Sequence, residues 1–219
     1  MTLAMRVFLT FLAAYVLSQF YRSFLAVIAP ELARELALDP QALGNLQAFW
    51  ILGFVATLLP LGWALDTLGP RRTVSAQMLA AVAGALLFAT AHSAMGLNIA
   101  MLLIGAGCGS IYMGAIYMFG RIAPPQRFAL LCSWLLGIGT AGNLLAASPL
   151  AWAAQSIGWR GAMVVMAAAT AISALSVLLL IRDPVRITSH GSRGLFGGIG
   201  KTVQHIPAQA LFFYAPFTA

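Results

Sequence analysis

Long apolar runs, separated by turns of only a few residues, leave this chain few ways to fold. They cover roughly residues 3–29, 43–65, 73–91, 97–119, 128–154 and 161–181. A helix rises about 1.5 Å per residue, so a run of ~20 apolar residues crosses the ~30 Å hydrocarbon layer. Hydrophobic residues make up 61% of the chain and charged residues 8%, whereas a water-soluble domain needs roughly a quarter of its residues charged. The sequence therefore predicts an all-α membrane protein with six transmembrane helices.

Charge placement sets the predicted topology. Arg6, Arg71, Arg72, Arg121, Arg127, Arg182, Arg186, Arg193 and Lys201 fall on one side of the alternating spans, and only Arg34 and Arg160 on the other. Short cytoplasmic loops carry the excess of Arg and Lys, so both termini are expected in the cytoplasm, with the protein in the plasma membrane. The net charge of +7 does not imply a nucleic-acid partner, because the basic residues lie singly between apolar spans and form no basic face. Arg6 followed by an apolar run raises the possibility of a signal peptide. The run continues past Arg22 to Ala29 without a small-residue cleavage site, which favours a retained first helix. Pro30 to Gln41 reads as an outer polar loop, and residues 92–96 and 155–160 as outer turns.

One cytoplasmic turn has distinctive chemistry. It reads Gly62-Trp-Ala-Leu-Asp66-Thr-Leu-Gly69-Pro-Arg71-Arg72. Gly69 tolerates positive φ and Pro70 lacks an N–H donor, so the helix breaks there. Asp66 is expected within a turn of the incoming helix N-terminus, where unpaired N–H groups favour a carboxylate. The spacing G-x-x-x-D-x-x-G-x-R-R resembles the loop between helices 2 and 3 of the major facilitator superfamily of transporters. That resemblance implies a gating role for Gly62, Asp66, Gly69, Arg71 and Arg72. The basic residue that commonly follows the acid in that family is Thr67 here, so part of the gate's charge network is absent. A capping acid in any tight loop is the plainer alternative for Asp66. Farther along, Gly105, Gly107 and Gly109 resemble the family's glycine-rich fourth helix without its usual preceding arginine. Gly137, Gly139, Gly142 and Pro149 loosely resemble its fifth, although small residues also serve ordinary close packing.

The chain also resembles itself at an offset of 89 residues. Gly53 falls on Gly142, Pro60 on Pro149, Trp63 on Trp152, Gly69 on Gly158 and Arg71 on Arg160. A repeat of three helices must sit inverted in the membrane, as in the six-helix halves of this superfamily. The predicted fold is two inverted three-helix repeats, the N-terminal half of a major-facilitator fold. Residues 1–181 form the bundle and 182–206 a cytoplasmic linker. Residues 207–219 read as the incomplete start of a seventh helix.

Arg22 is the formal charge placed well inside a span. A charge at membrane depth costs at least ~2.5–3.5 kcal/mol on insertion scales and usually faces a protein interior or a water-filled cavity. Tyr15, Gln19 and Arg22 share a face of helix 1, while Tyr112 and Asn143 sit near the centres of helices 4 and 5. The resemblance implies that helices 1, 4 and 5 line the transport cavity. It also implies that an arginine at this place binds substrate carboxylate, as in the organic-anion branch. Arg22 snorkelling to the outer interface is the open alternative.

The inventory argues against an enzyme: the spans hold no Asp or Glu, and no Ser/His or Cys/His pair falls at matching depth. No cofactor or metal is expected, and Cys108 and Cys132 read as packing residues. The expected partners are a small-molecule substrate, the lipid bilayer and a second six-helix half, from the same full-length chain or a partner chain. The reading is a secondary active or facilitative transporter working by alternating access, with a non-transporting membrane scaffold as the alternative.

Overall fold

The computed structural model describes residues 3–183. The predicted linker beyond Asp183 and the incomplete seventh helix lie outside those residues. Five continuous helices are present: α1 (Leu3–Leu36), α2 (Pro40–Thr67), α3 (Pro70–Thr90), α4 (Ala94–Ile122) and α5 (Pro125–Leu180).

These five helices make six passes, because α5 breaks at Gly158, where φ is 74° and ψ 160°. Its two ends meet the same end of the bundle. Arg127, near its start, lines a cavity with Met5, Phe8 and Ile122, while Asp183, just past its finish, accepts a hydrogen bond from Arg71. Trp159 and Arg160, beside the break, instead reach Glu35 and Ala91 at the opposite end. The chain therefore reverses at one residue, between an arm of residues 125–157 and an arm of residues 159–180. The predicted outer turn is compressed into this break.

The same backbone shape recurs 89 residues earlier. Gly69, at the N-cap of α3, has φ 86° and ψ 156°, close to Gly158. Both conformations lie in a region essentially closed to residues with a Cβ. Pro60 and Pro149, also offset by 89, each sit inside a helix. The inverted repeat is thus written into the backbone at its two tightest turns.

The first helix is longer than composition suggested. Residues 30–36, read as loop from their Glu and Arg content, continue α1. They are amphipathic: Leu32 is fully buried while Arg34 and Glu35 face outward. Pro30 forfeits one backbone hydrogen bond without ending the helix. Termination comes at Ala37, with φ 49°, and Leu38 N donates to Ala33 O at 3.2 Å. The other helices also extend past their predicted bounds by up to three residues at an end, as turns take up fewer residues than their polarity implied.

Without a hydrophobic force between apolar helices in lipid, association depends on close van der Waals approach. The contact of α2 with α4 shows this. A Cβ on Gly53 would stand 2.1 Å from the Leu102 carbonyl oxygen, and one on Gly105 2.0 Å from that of Trp50. The two backbones touch where each helix offers glycine. Two apolar clusters fill the interior, one around Phe24, Phe88 and Trp159 towards the acidic end, one around Phe11, Val74 and Phe119 towards the arginine-rich end.

Candidate functional site

At mid-depth, residues from α1, α2, α4 and the first arm of α5 converge. Arg22 lies just past the midpoint of the 34-residue α1. Its guanidinium carbon stands 5.3 Å from the ring centroid of Trp50 and 5.3 Å from that of Phe54. Those rings are stacked, with centroids 5.4 Å apart and planes 18° from parallel. Arg22 makes no ion pair among the described residues. The chain's five acids, Glu31, Glu35, Asp39, Asp66 and Asp183, all lie at or near helix ends. Arg22 is exposed on the face of this bundle, and the rings beside it are a weak substitute for a counter-ion.

The remaining sequence-predicted residues surround it in two groups. The Tyr15 and Tyr112 rings approach to 5.6 Å. Tyr15 seats against α5 because position 139 is glycine: a Cβ there would meet the ring at 2.3 Å. Asn143 Oδ1 accepts a hydrogen bond from Ser23, the neighbour of Arg22. Gln19 is buried between these groups on the same face of α1. Sequence reasoning did not single out Trp50 or Phe54, since aromatic residues on an apolar helix read as packing. The usable signal was their one-turn spacing on the helix following Arg22.

The predicted gating residues lie at the arginine-rich end. Asp66 belongs to the last turn of α2 and approaches Arg121 of α4 at 3.8 Å. It does not cap α3; of the two partners expected for it, a helix N-terminus or an Arg, it meets the Arg. The α3 terminus is instead served by Asp183, whose Oδ1 accepts from Arg71 N at 2.9 Å. Asp183 reaches this place because the second arm of α5 ends beside Gly69, and it satisfies one of the first-turn N–H groups. Arg121 also lies over the Tyr117 ring at 4.0 Å. Thr67 Oγ1 donates to Trp63 O within its own helix, at 2.7 Å, and reaches no partner across the turn among the described residues. Arg72 is exposed, and a Cβ on Gly62 would meet nothing within 4 Å.

A second clamp closes the opposite end. Glu35, at the end of α1, accepts from Trp159 Nε1 at 2.6 Å and from Arg160 Nη1. Arg160 Nη2 also donates to Ala91 O at 3.2 Å. Exchanging the repeats maps the end of α4 onto the end of α1 and the Gly69 turn onto the Gly158 turn. Each turn is thus gripped by an ion pair to the other repeat, with the signs reversed. At one end the turn brings the acid, at the other the base.

A six-pass bundle built from an inverted repeat is an architecture found among membrane transporters. The chain belongs to the major facilitator superfamily, whose family signature matches residues 11–217. Among solved structures it resembles a D-xylose–proton symporter, with a TM-score of 0.71 at 16% sequence identity. That match covers 98% of this chain and 55% of the symporter, so the chain spans about half of its neighbour's length. No curated protein matches the chain by sequence.

Proposed function

We propose that this chain is the N-terminal half of a secondary active or facilitative transporter that moves a small organic anion by alternating access. Arg22 carries the reading. A guanidinium at mid-depth with no acidic partner is costly unless something anionic arrives to meet it. In a low-dielectric site its attraction for an anion far exceeds that in water. Its planar fork suits a carboxylate held through two parallel N–H bonds. Gln19, Tyr15 and Tyr112 supply polar groups for orientation, and Asn143 holds Ser23 beside them.

In this reading the arginine-rich end is cytoplasmic, in accord with the positive-inside rule, and both termini lie there. This half offers no membrane carboxylate to carry a coupling proton. The substrate site is completed by a second six-helix half that rocks against this one. The test is uptake of organic anions by the reconstituted full-length transporter at matched membrane abundance. Arg22→Ala should lower uptake about 10- to 100-fold, the worth of hydrogen bonds to a charged group. Arg22→Lys keeps charge without the fork and should fall between Arg22→Ala and wild type. Normal uptake by Arg22→Ala would remove the anion reading.

Asp66 acts in the gate. An exposed ion pair of 3.8 Å adds at most about 1 kcal/mol of static stability, so its part is in the rate of opening. Asp66→Asn should change maximal transport rate several-fold and leave substrate affinity within about twofold. Unchanged rates in the same vesicles would contradict the assignment.

A further inference from the structure

Arg22 accounts for the charged group of a ligand, and α2 describes the rest of it. Trp50 and Phe54 lie one helical turn apart and cannot retreat from the site. A Cβ on Gly105 would strike the Trp50 carbonyl oxygen at 2.0 Å, and one on Gly109 would lie 3.3 Å from that of Phe54. The backbone bearing both rings is therefore pressed against α4, and the two stacked rings form one rigid aromatic wall. Trp50 is only 5% exposed, and its Nε1 is buried without a hydrogen-bond partner. Arg22 stands equidistant from the two rings, at 5.3 Å from each. Among the described residues every formal charge other than Arg22 lies at or near a helix end or the break at Gly158.

We infer that the ligand is an anion whose carboxylate is joined to a planar aromatic body, with Trp50 and Phe54 as the specificity-determining residues that receive that body. The inference rests on the anion-binding reading of Arg22. The carboxylate draws the guanidinium off the rings, and the flat body of the ligand takes the place it leaves. An aromatic ligand keeps ring-to-ring contact where the guanidinium lay, in offset or edge-to-face geometry. A non-planar acid of equal charge and size leaves part of the wall uncovered.

Benzoate and cyclohexanecarboxylate separate these cases, having the same charge and carbon count but different shape. Binding of each to the reconstituted full-length transporter is measured by calorimetry, with inorganic phosphate as a third probe. Benzoate is expected to bind about three- to tenfold more tightly than cyclohexanecarboxylate, the range of one aromatic contact. Trp50→Leu and, separately, Phe54→Leu should bring that ratio towards one by weakening benzoate more than cyclohexanecarboxylate. Trp50→Phe should keep most of the ratio. Equal binding of the two acids by wild type, both lost in Arg22→Ala, would overturn the aromatic inference and leave the anion reading standing. Tighter binding of phosphate than of either acid would also overturn it. Failure of all three probes to bind would overturn both.

Discussion

A Gly105→Val transporter is expected to yield less than about a tenth of the wild-type amount of monodisperse protein after solubilisation. The new Cβ would lie 2.0 Å from the Trp50 carbonyl oxygen, 2.9 Å from its carbon and 3.1 Å from Phe54 N. All three atoms are backbone, so no rotamer change relieves the clash. On α2, Gly53 makes the reciprocal approach, 2.1 Å from the Leu102 oxygen, so the helices must separate along their whole contact. The cost should reach or exceed the ~3 kcal/mol upper end of ordinary overpacking. Gly44→Ala and Gly137→Ala are the controls, since a Cβ at either meets nothing within 4 Å. Size-exclusion profiles and melting temperatures of the three variants check this. A wild-type profile for Gly105→Val would mean that α2 and α4 are not in backbone contact.

The second large effect comes from the two turn glycines, whose comparison separates strain from collision. Gly69 and Gly158 have nearly the same φ and ψ, so alanine should cost each about 1–3 kcal/mol of backbone strain. Beyond that they differ. At Gly158 a Cβ enters open space, whereas at Gly69 it comes within 2.7 Å of Asp183 Oδ1. Gly158→Ala should lower the melting temperature alone. Gly69→Ala should lower it further and also free the α3 terminus, by pushing Asp183 off the Arg71 amide. Adding Asp183→Ala should recover part of the Gly69→Ala loss and none of the Gly158→Ala loss. Equal melting temperatures for the two glycine variants would show that Asp183 does not sit against Gly69.

Much of this architecture is legible from the residues themselves. The passes follow from apolar length, and the turn at Gly69 from Gly-Pro chemistry. The offset of 89 residues identified Gly158 as its counterpart before any backbone angle did. Harder to read were features fixed only by distant packing. Asp183 follows the last apolar run and reads as the start of a linker, because its partner amide lies 112 residues earlier. Residues 30–36 read as loop because Glu and Arg outweigh two leucines in composition, yet Leu32 anchors that turn in the core. Arg22 could be chosen by its cost in the bilayer, and Tyr15 and Gln19 by helical spacing. Trp50 and Phe54 could not, since their contact with Arg22 depends on how closely glycines let α2 lie on α4.

The single-residue reversal at Gly158 has a consequence for how the protein is made. An ordinary loop between two spans must be pulled through the bilayer with its polar cargo, but here there is almost no loop to pull. The two arms of α5 can enter the membrane together as one hairpin, with Arg160 the one formal charge carried to the far side. Glu35 precedes Arg160 by 125 residues, so the carboxylate that holds the arginine is synthesised before it. The order of translation thus supplies the acceptor before the donor.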